Sequence, residues 1–216
     1  MTPLTFLLSR TFDGALAPEH RADLTKSQLR DETIEAHFVR SVPPGLIGQL
    51  LGFECPGMRS AMLLPYRAPT GGFMEFVRCK IFPALVDGGG HAIKYLQPRG
   101  TPPRLYFTRT ALNHLDDPAV PLVLCEGEKK ALALSQHRVT AVGFAGIEAW
   151  HARGNVNLLP DFDALRLDRR LVELVPDGDA ATNPMVARGV ERFAWALRRR
   201  GARVKLVVLP TLTPAR

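Results

Sequence analysis

The spacing of apolar positions changes character near Asp116-Asp117-Pro118, and two patterns meet there. Residues 1–20 sustain no period and read as an irregular arm. From Leu24 to Val39, Leu29, Ile34 and Phe38 recur at helical spacing, and Thr25 with Gln28 has the spacing of a capping box. Pro43-Pro44-Gly45 ends that predicted helix. Between Ser60 and Thr108 the rhythm becomes that of strands. Residues 61–66 and 72–82 flank a Pro-Thr-Gly turn and predict a hairpin, and 91–96 and 104–108 predict further short strands.

Beyond Pro118 short apolar runs alternate with helical stretches. Strands are predicted at 120–125, 140–144, 170–175 and 203–209, with helices at 128–137 and 184–200 and a short helical segment at 146–151. The last long helix is the best marked. Asn183 suits its N-cap, Pro184 its first turn and Gly201 its end, while Val186, Val190, Phe193, Ala194 and Leu197 form one apolar stripe. Trp150 and Trp195 fall in helical patterns and are expected to pack. Strands alternating with helices imply a parallel sheet.

Composition narrows the function classes. The 216 residues carry 28 Lys and Arg against 21 Asp and Glu, a net charge of +7, which suits a polyanionic partner. The three cysteines are isolated, so no zinc ribbon or disulfide framework is expected. No apolar run has the length of a membrane span, and the opening residues lack the charge of a secretory signal. A cytoplasmic location without membrane contact is the resulting expectation.

Within this basic chain two strands end on carboxylates, at Cys125-Glu126-Gly127-Glu128 and at Val175-Pro176-Asp177-Gly178-Asp179. Strand ends are where a parallel sheet exposes side chains in a crevice. Asp177 and Asp179, two apart, share one side of an extended chain. Converging carboxylates repel unless a cation lies between them, and Mg²⁺ suits oxygen donors and a phosphate-bearing ligand. Glu128 opens a helix, where a carboxylate more commonly serves the helix dipole.

The order of these words resembles the Toprim domain of primases, topoisomerases and some nucleases. The correspondence covers 123–127, then 141–146, then 172–179 and finally 204–210. The resemblance implies a Toprim-like parallel sheet with flanking helices over about 119–210. It assigns Glu126 as a catalytic and metal-related glutamate, and Asp177 and Asp179 as ligands of Mg²⁺ or Mn²⁺. The implied domains are 1–118 and 119–216. Departures are plain: Ala180-Ala181-Thr182 replaces the usual Ala-Gly, no acidic residue follows the final strand, and no Walker loop or zinc ribbon is present.

The first part is similar to the small α+β basic subdomain that precedes the Toprim unit of bacterial replicative primases. The matching words are Phe76-Val77-Arg78-Cys79-Lys80, Ile93-Lys94-Tyr95-Leu96 with Arg99, and Leu105-Tyr106-Phe107. This resemblance turns Arg78, Lys80, Lys94 and Arg99 into candidate phosphate contacts. Lys129 and Lys130, by their place beside Glu126, are two more. The implied function is a metal-dependent nucleic-acid phosphotransfer module of primase type, from DNA replication in a mobile element. Single-stranded DNA or primer-template, nucleotides, and a helicase or zinc-binding replication subunit are the implied partners. Two other readings keep the same fold: a Toprim nuclease, and an inactive module that binds nucleic acid or protein.

Overall fold

The computed structural model describes residues 4–12, 14–152, 154, 156–178 and 182–208. It separates into two units, Met1–Thr101 and Pro102–Arg216.

The first unit runs α1 (Leu4–Phe12), α2 (Pro18–Thr25), α3 (Asp31–Ala36), β1 (Arg40–Val42), α4 (Pro44–Leu51), β2 (Ser60–Arg67), β3 (Phe73–Val86) and β4 (Ala92–Leu96). Its strands form an antiparallel sheet in the order β1-β2-β3-β4. Leu63, Val77, Cys79 and Ile81 bury one face against Leu8 of α1 and Leu46, Leu50 and Leu51 of α4.

Three expectations change in this unit. The arm contains α1 and the start of α2. The helix expected over 24–39 is broken: Thr25 closes α2, its hydroxyl donating back to the Arg21 carbonyl at 2.9 Å rather than capping a new helix. Gln28 then takes a φ of +55°, which no continuing helix allows. Pro44 opens α4 rather than merely ending what precedes it, since a first-turn proline sacrifices no helical hydrogen bond.

The second unit runs β5 (Tyr106–Phe107), α5 (Arg109–Leu112), β6 (Leu122–Glu126), α6 (Glu128–Ser135), β7 (Ala141–Phe144), a 3₁₀ turn (Pro160–Ala164), β8 (Leu171–Val175), α7 (Pro184–Arg199) and β9 (Arg203–Leu206). The sheet order is β5-β7-β6-β8-β9, parallel except for β5, which is antiparallel to β7. The strand expected near 104–108 thus joins this sheet. In place of the expected helical segment at 146–151, residues 147–150 form a turn and His151 bridges to Leu158, and the 3₁₀ turn has no sequence counterpart in period or cap.

Strand alternation divides the core into two layers. Leu122, Leu124, Val142, Phe144, Val172 and Leu174 face one way and pack with Val190, Phe193, Ala194 and Leu197 of α7. Trp150 stacks on Phe193 in that layer, with ring centroids 5.3 Å apart. Gly143 faces the other way, where a Cβ would meet Ala131, Tyr106 and the Gly127 carbonyl, each at 3.3 Å. Glycine lets α6 and β5 approach β7 this closely without displacing a neighbour. The protein is therefore a mixed α/β molecule, with a parallel sheet flanked by helices following an α+β unit. No helix among the described residues is long and apolar enough to cross a membrane.

Candidate active site

Strand β6 leads through α6 to β7 on one side, whereas its other neighbour, β8, leads through α7 to β9 on the opposite side. Adjacent strands whose connections diverge open a crevice at their C-terminal ends. Glu126 is the last residue of β6, and Asp177 lies two residues beyond β8. Cys125 pairs with Val175, so the register brings the two strand ends level. The Glu126 Oε2 accepts the backbone N–H of Asp177 at 3.2 Å. Its Oε1 faces Gly146, where a Cβ would lie 3.8 Å away.

Gly127 makes the exit from β6 possible. Its φ of +93° turns the chain sharply into α6, and its N–H donates to the Phe144 carbonyl at 2.8 Å. That turn sets Lys130 on the first turn of α6, with its ammonium ion-paired to Asp177 Oδ1. This oxygen is shielded from solvent and accepts no hydrogen bond among the described residues, so the contact is an ion pair without hydrogen-bond alignment. Glu128 begins α6 and is buried.

The donor set suits a hard divalent cation: two carboxylates, one oxygen shielded from water, and an ammonium already standing where positive charge is favoured. Cys125, the preceding residue on β6, is buried in the sheet, and that burial pushes its thiol up to about 12. Asp179 lies outside the described residues. Among the described residues no three His, Cys, Asp or Glu side chains come together as a cage, so Glu128 does not join the other two carboxylates.

The basic residues of the first unit separate by face. Arg78 and Lys80 stand two apart on β3, and Lys80 is paired in register with Tyr95 of β4. The Arg78 guanidinium lies 4.8 Å from the centre of the Tyr95 ring. The Lys80 ammonium is 5.3 Å from the Phe82 ring and ion-paired to Asp23, with both side chains largely buried. Lys94, adjacent to Tyr95 on β4, belongs to the opposite face by alternation and is exposed. Arg99 is exposed beyond β4, its backbone N–H bound to the Leu51 carbonyl at 2.9 Å. In the second unit, Lys129 is half-buried on the first turn of α6.

Lys130, expected with Lys129 beside Glu126 as a phosphate contact, is ion-paired to Asp177, a pairing the sequence does not show. Its position four residues after Glu126, on the helix that leaves the same strand, is what brings it there. Trp195, expected to pack, is instead 56% exposed.

The fold built around this crevice is that of the primase RNA polymerase domain. The chain superposes on the crystal structure of the Aquifex aeolicus primase (zinc-binding and RNA polymerase domains) with a TM-score of 0.66 and 15% identity, over 96% of this chain and 54% of that one. It therefore spans about half of that chain's length. The DnaG catalytic core aligns with a TM-score of 0.58 and 18% identity, covering 96% of this chain and 72% of that one. The RNA polymerase domain of Mycobacterium tuberculosis primase DnaG gives 0.66 and 16%, covering 98% and 76%. At such identities the shared property is the fold. Residues 113–214 match a family model described as a domain of unknown function (DUF3854). No curated protein matches.

Proposed function

We propose that this protein is a metal-dependent nucleic-acid phosphotransfer module of primase type. The observation that carries the reading is the convergence of Glu126 and Asp177, from adjacent strand ends, in the crevice of a primase-like fold. Glu126, Asp177 and Asp179 are the proposed holders of Mg²⁺ or Mn²⁺. Bound there, the ion would supply charge neutralisation for a nucleotide's phosphates as a 3′-hydroxyl attacks.

The protein's own groups supply the rest. The Asp177 N–H fixes one oxygen of Glu126 and leaves the other facing Gly146. Lys130 holds the Asp177 carboxylate in place and offers a cation to an incoming phosphate. Arg78, Lys94, Arg99 and Lys129 are proposed contacts to template or nucleotide phosphates. Lys80 has the additional structural task of pairing with Asp23. The proposed boundary between a nucleic-acid-binding part and a Toprim-like part lies at about 118, although residues 102–118 pack with the second unit. Mobile-element replication, a cytoplasmic setting and a helicase or zinc-binding partner are parts of the proposal that rest on sequence resemblance.

Template-directed extension in the presence of Mg²⁺ or Mn²⁺ tests the reading. Wild type should yield oligomers that Asp177→Asn abolishes. Metal-dependent cleavage of the template without any nucleotide requirement would assign the site to a nuclease instead, and neither activity from wild type would leave only a binding module.

A further inference from the structure

The basic surplus of the chain lies mainly in the second unit. Residues 102–216 hold 17 Lys and Arg against 12 Asp and Glu, whereas residues 1–101 hold 11 against 9. Much of that surplus is on α7. Its outer face carries Arg188, Arg192, Trp195 and Arg199, all exposed and spaced three or four apart, so they form one stripe along the helix. Nothing in the Glu126–Asp177 crevice uses this face. Trp195 is eleven residues beyond Pro184, about 16 Å along the helix axis.

Beside Trp195 is a cavity of about 340 Å³, lined by Val156, Leu158, Pro160, Trp195, Arg199 and Arg200. Apolar side chains, the Trp195 indole and the guanidinium groups of Arg199 and Arg200 meet in its lining. The Arg199 guanidinium lies 4.8 Å from the centre of the indole. Asp163 contributes the acidic charge at the cavity and is bonded to Arg200 at 2.7 Å. Arg192 is paired with Glu148. Arg188 and Arg199 have no carboxylate partner among the described residues.

An exposed indole gains little from water, and an arginine stripe repels itself until an anion arrives. Single-stranded nucleic acid satisfies both, because each base offers a flat face for stacking and each linkage offers a phosphate to the guanidinium row. We propose that the cavity beside Trp195 binds a base of single-stranded nucleic acid, with the indole as stacking surface and Arg199 and Arg188 as phosphate contacts. The site acts as a tether outside the crevice and does not depend on metal at Asp177.

The two tryptophans make the test direct, since Trp150 is buried and Trp195 exposed. Titration with an oligothymidylate of about ten nucleotides should quench the intrinsic fluorescence of wild type. In Trp195→Leu the remaining Trp150 emission should not respond, and the affinity for labelled oligonucleotide should fall about tenfold. Trp195→Phe, which keeps a stacking ring, should recover most of that loss. Arg199→Ala should weaken binding and flatten its salt dependence. Asp177→Asn should leave the quench intact, which separates this site from the proposed phosphotransfer centre. No quench in wild type, or equal affinity in Trp195→Leu, overturns the proposal. A polyglutamate peptide that quenches Trp195 where the oligonucleotide does not also overturns it, assigning the cavity to an acidic protein segment.

Discussion

The Glu126 carboxylate accepts the backbone N–H of Asp177 at 3.2 Å, joining residues 51 apart in sequence at the ends of two neighbouring strands. This bond has a consequence for the geometry of the crevice. One carboxylate is oriented by the backbone of the segment that carries the other, so the two cannot drift independently.

Lys130 should act as a competitor of bound metal. Its ammonium pairs with Asp177, so a divalent cation must displace it to reach Oδ1. Both side chains are partly exposed, which limits the pair to about 1 kcal/mol. Lys130→Met should therefore tighten Mn²⁺ binding by about fivefold, a difference that calorimetry resolves. Unchanged affinity would remove Lys130 from the site.

Arg170 should be indispensable to the stability of the second unit. The side chain is fully buried and donates to three backbone carbonyls, those of Val120, Leu115 and His114, at 2.9, 3.1 and 2.7 Å. It thereby fastens the loop before β6 to the start of β8. A lysine cannot fork across three acceptors. Arg170→Lys and Arg170→Met should each cost about 3 kcal/mol or more in urea denaturation, because buried carbonyls are left unpaired. A cost near zero would show that water replaces the guanidinium.

Much of the crevice was legible from residue order, because hydrophobic strands ending on Glu126-Gly127 and on Asp177 are local patterns. The sheet's parallel core and the α7 stripe follow from period alone, and Val190, Phe193, Ala194 and Leu197 are buried as the stripe requires. Other features depend on partners distant in sequence. The short β5 belongs to the second sheet only because it pairs with β7, and Tyr106 meets Gly143 across that pairing. Thr25 and Gln28 have capping-box spacing yet lie at and just past the end of α2, since the same hydroxyl can bond a preceding carbonyl. Trp195 occupies a helical pattern but falls outside the buried stripe, and its apolar side chain disguised an exposed position.

His20 should make the first unit acid-sensitive. The ring is buried, with Nδ1 2.7 Å from the Ser41 hydroxyl and Nε2 3.1 Å from that of Ser60. Desolvation holds its pKa below the ordinary 6.5, against the opposing pull of Glu19 and Asp23. The unfolded chain therefore takes up this proton first as pH falls. The contribution to stability is complete above 6.5 and is lost as pH falls below it toward the depressed folded pKa. Denaturation midpoints should decline across that window, and His20→Gln should flatten the decline. An identical slope in the variant would assign the acid response to other groups.

The most direct test of the central claim is calorimetric titration of Mn²⁺ into wild type and into Asp177→Ala/Asp179→Ala, with a single-stranded oligonucleotide present. Saturable binding by wild type, lost in the double variant while the fold is retained, is the predicted result. No binding by wild type, or equal binding by both proteins, would contradict a metal-dependent site at Glu126 and Asp177.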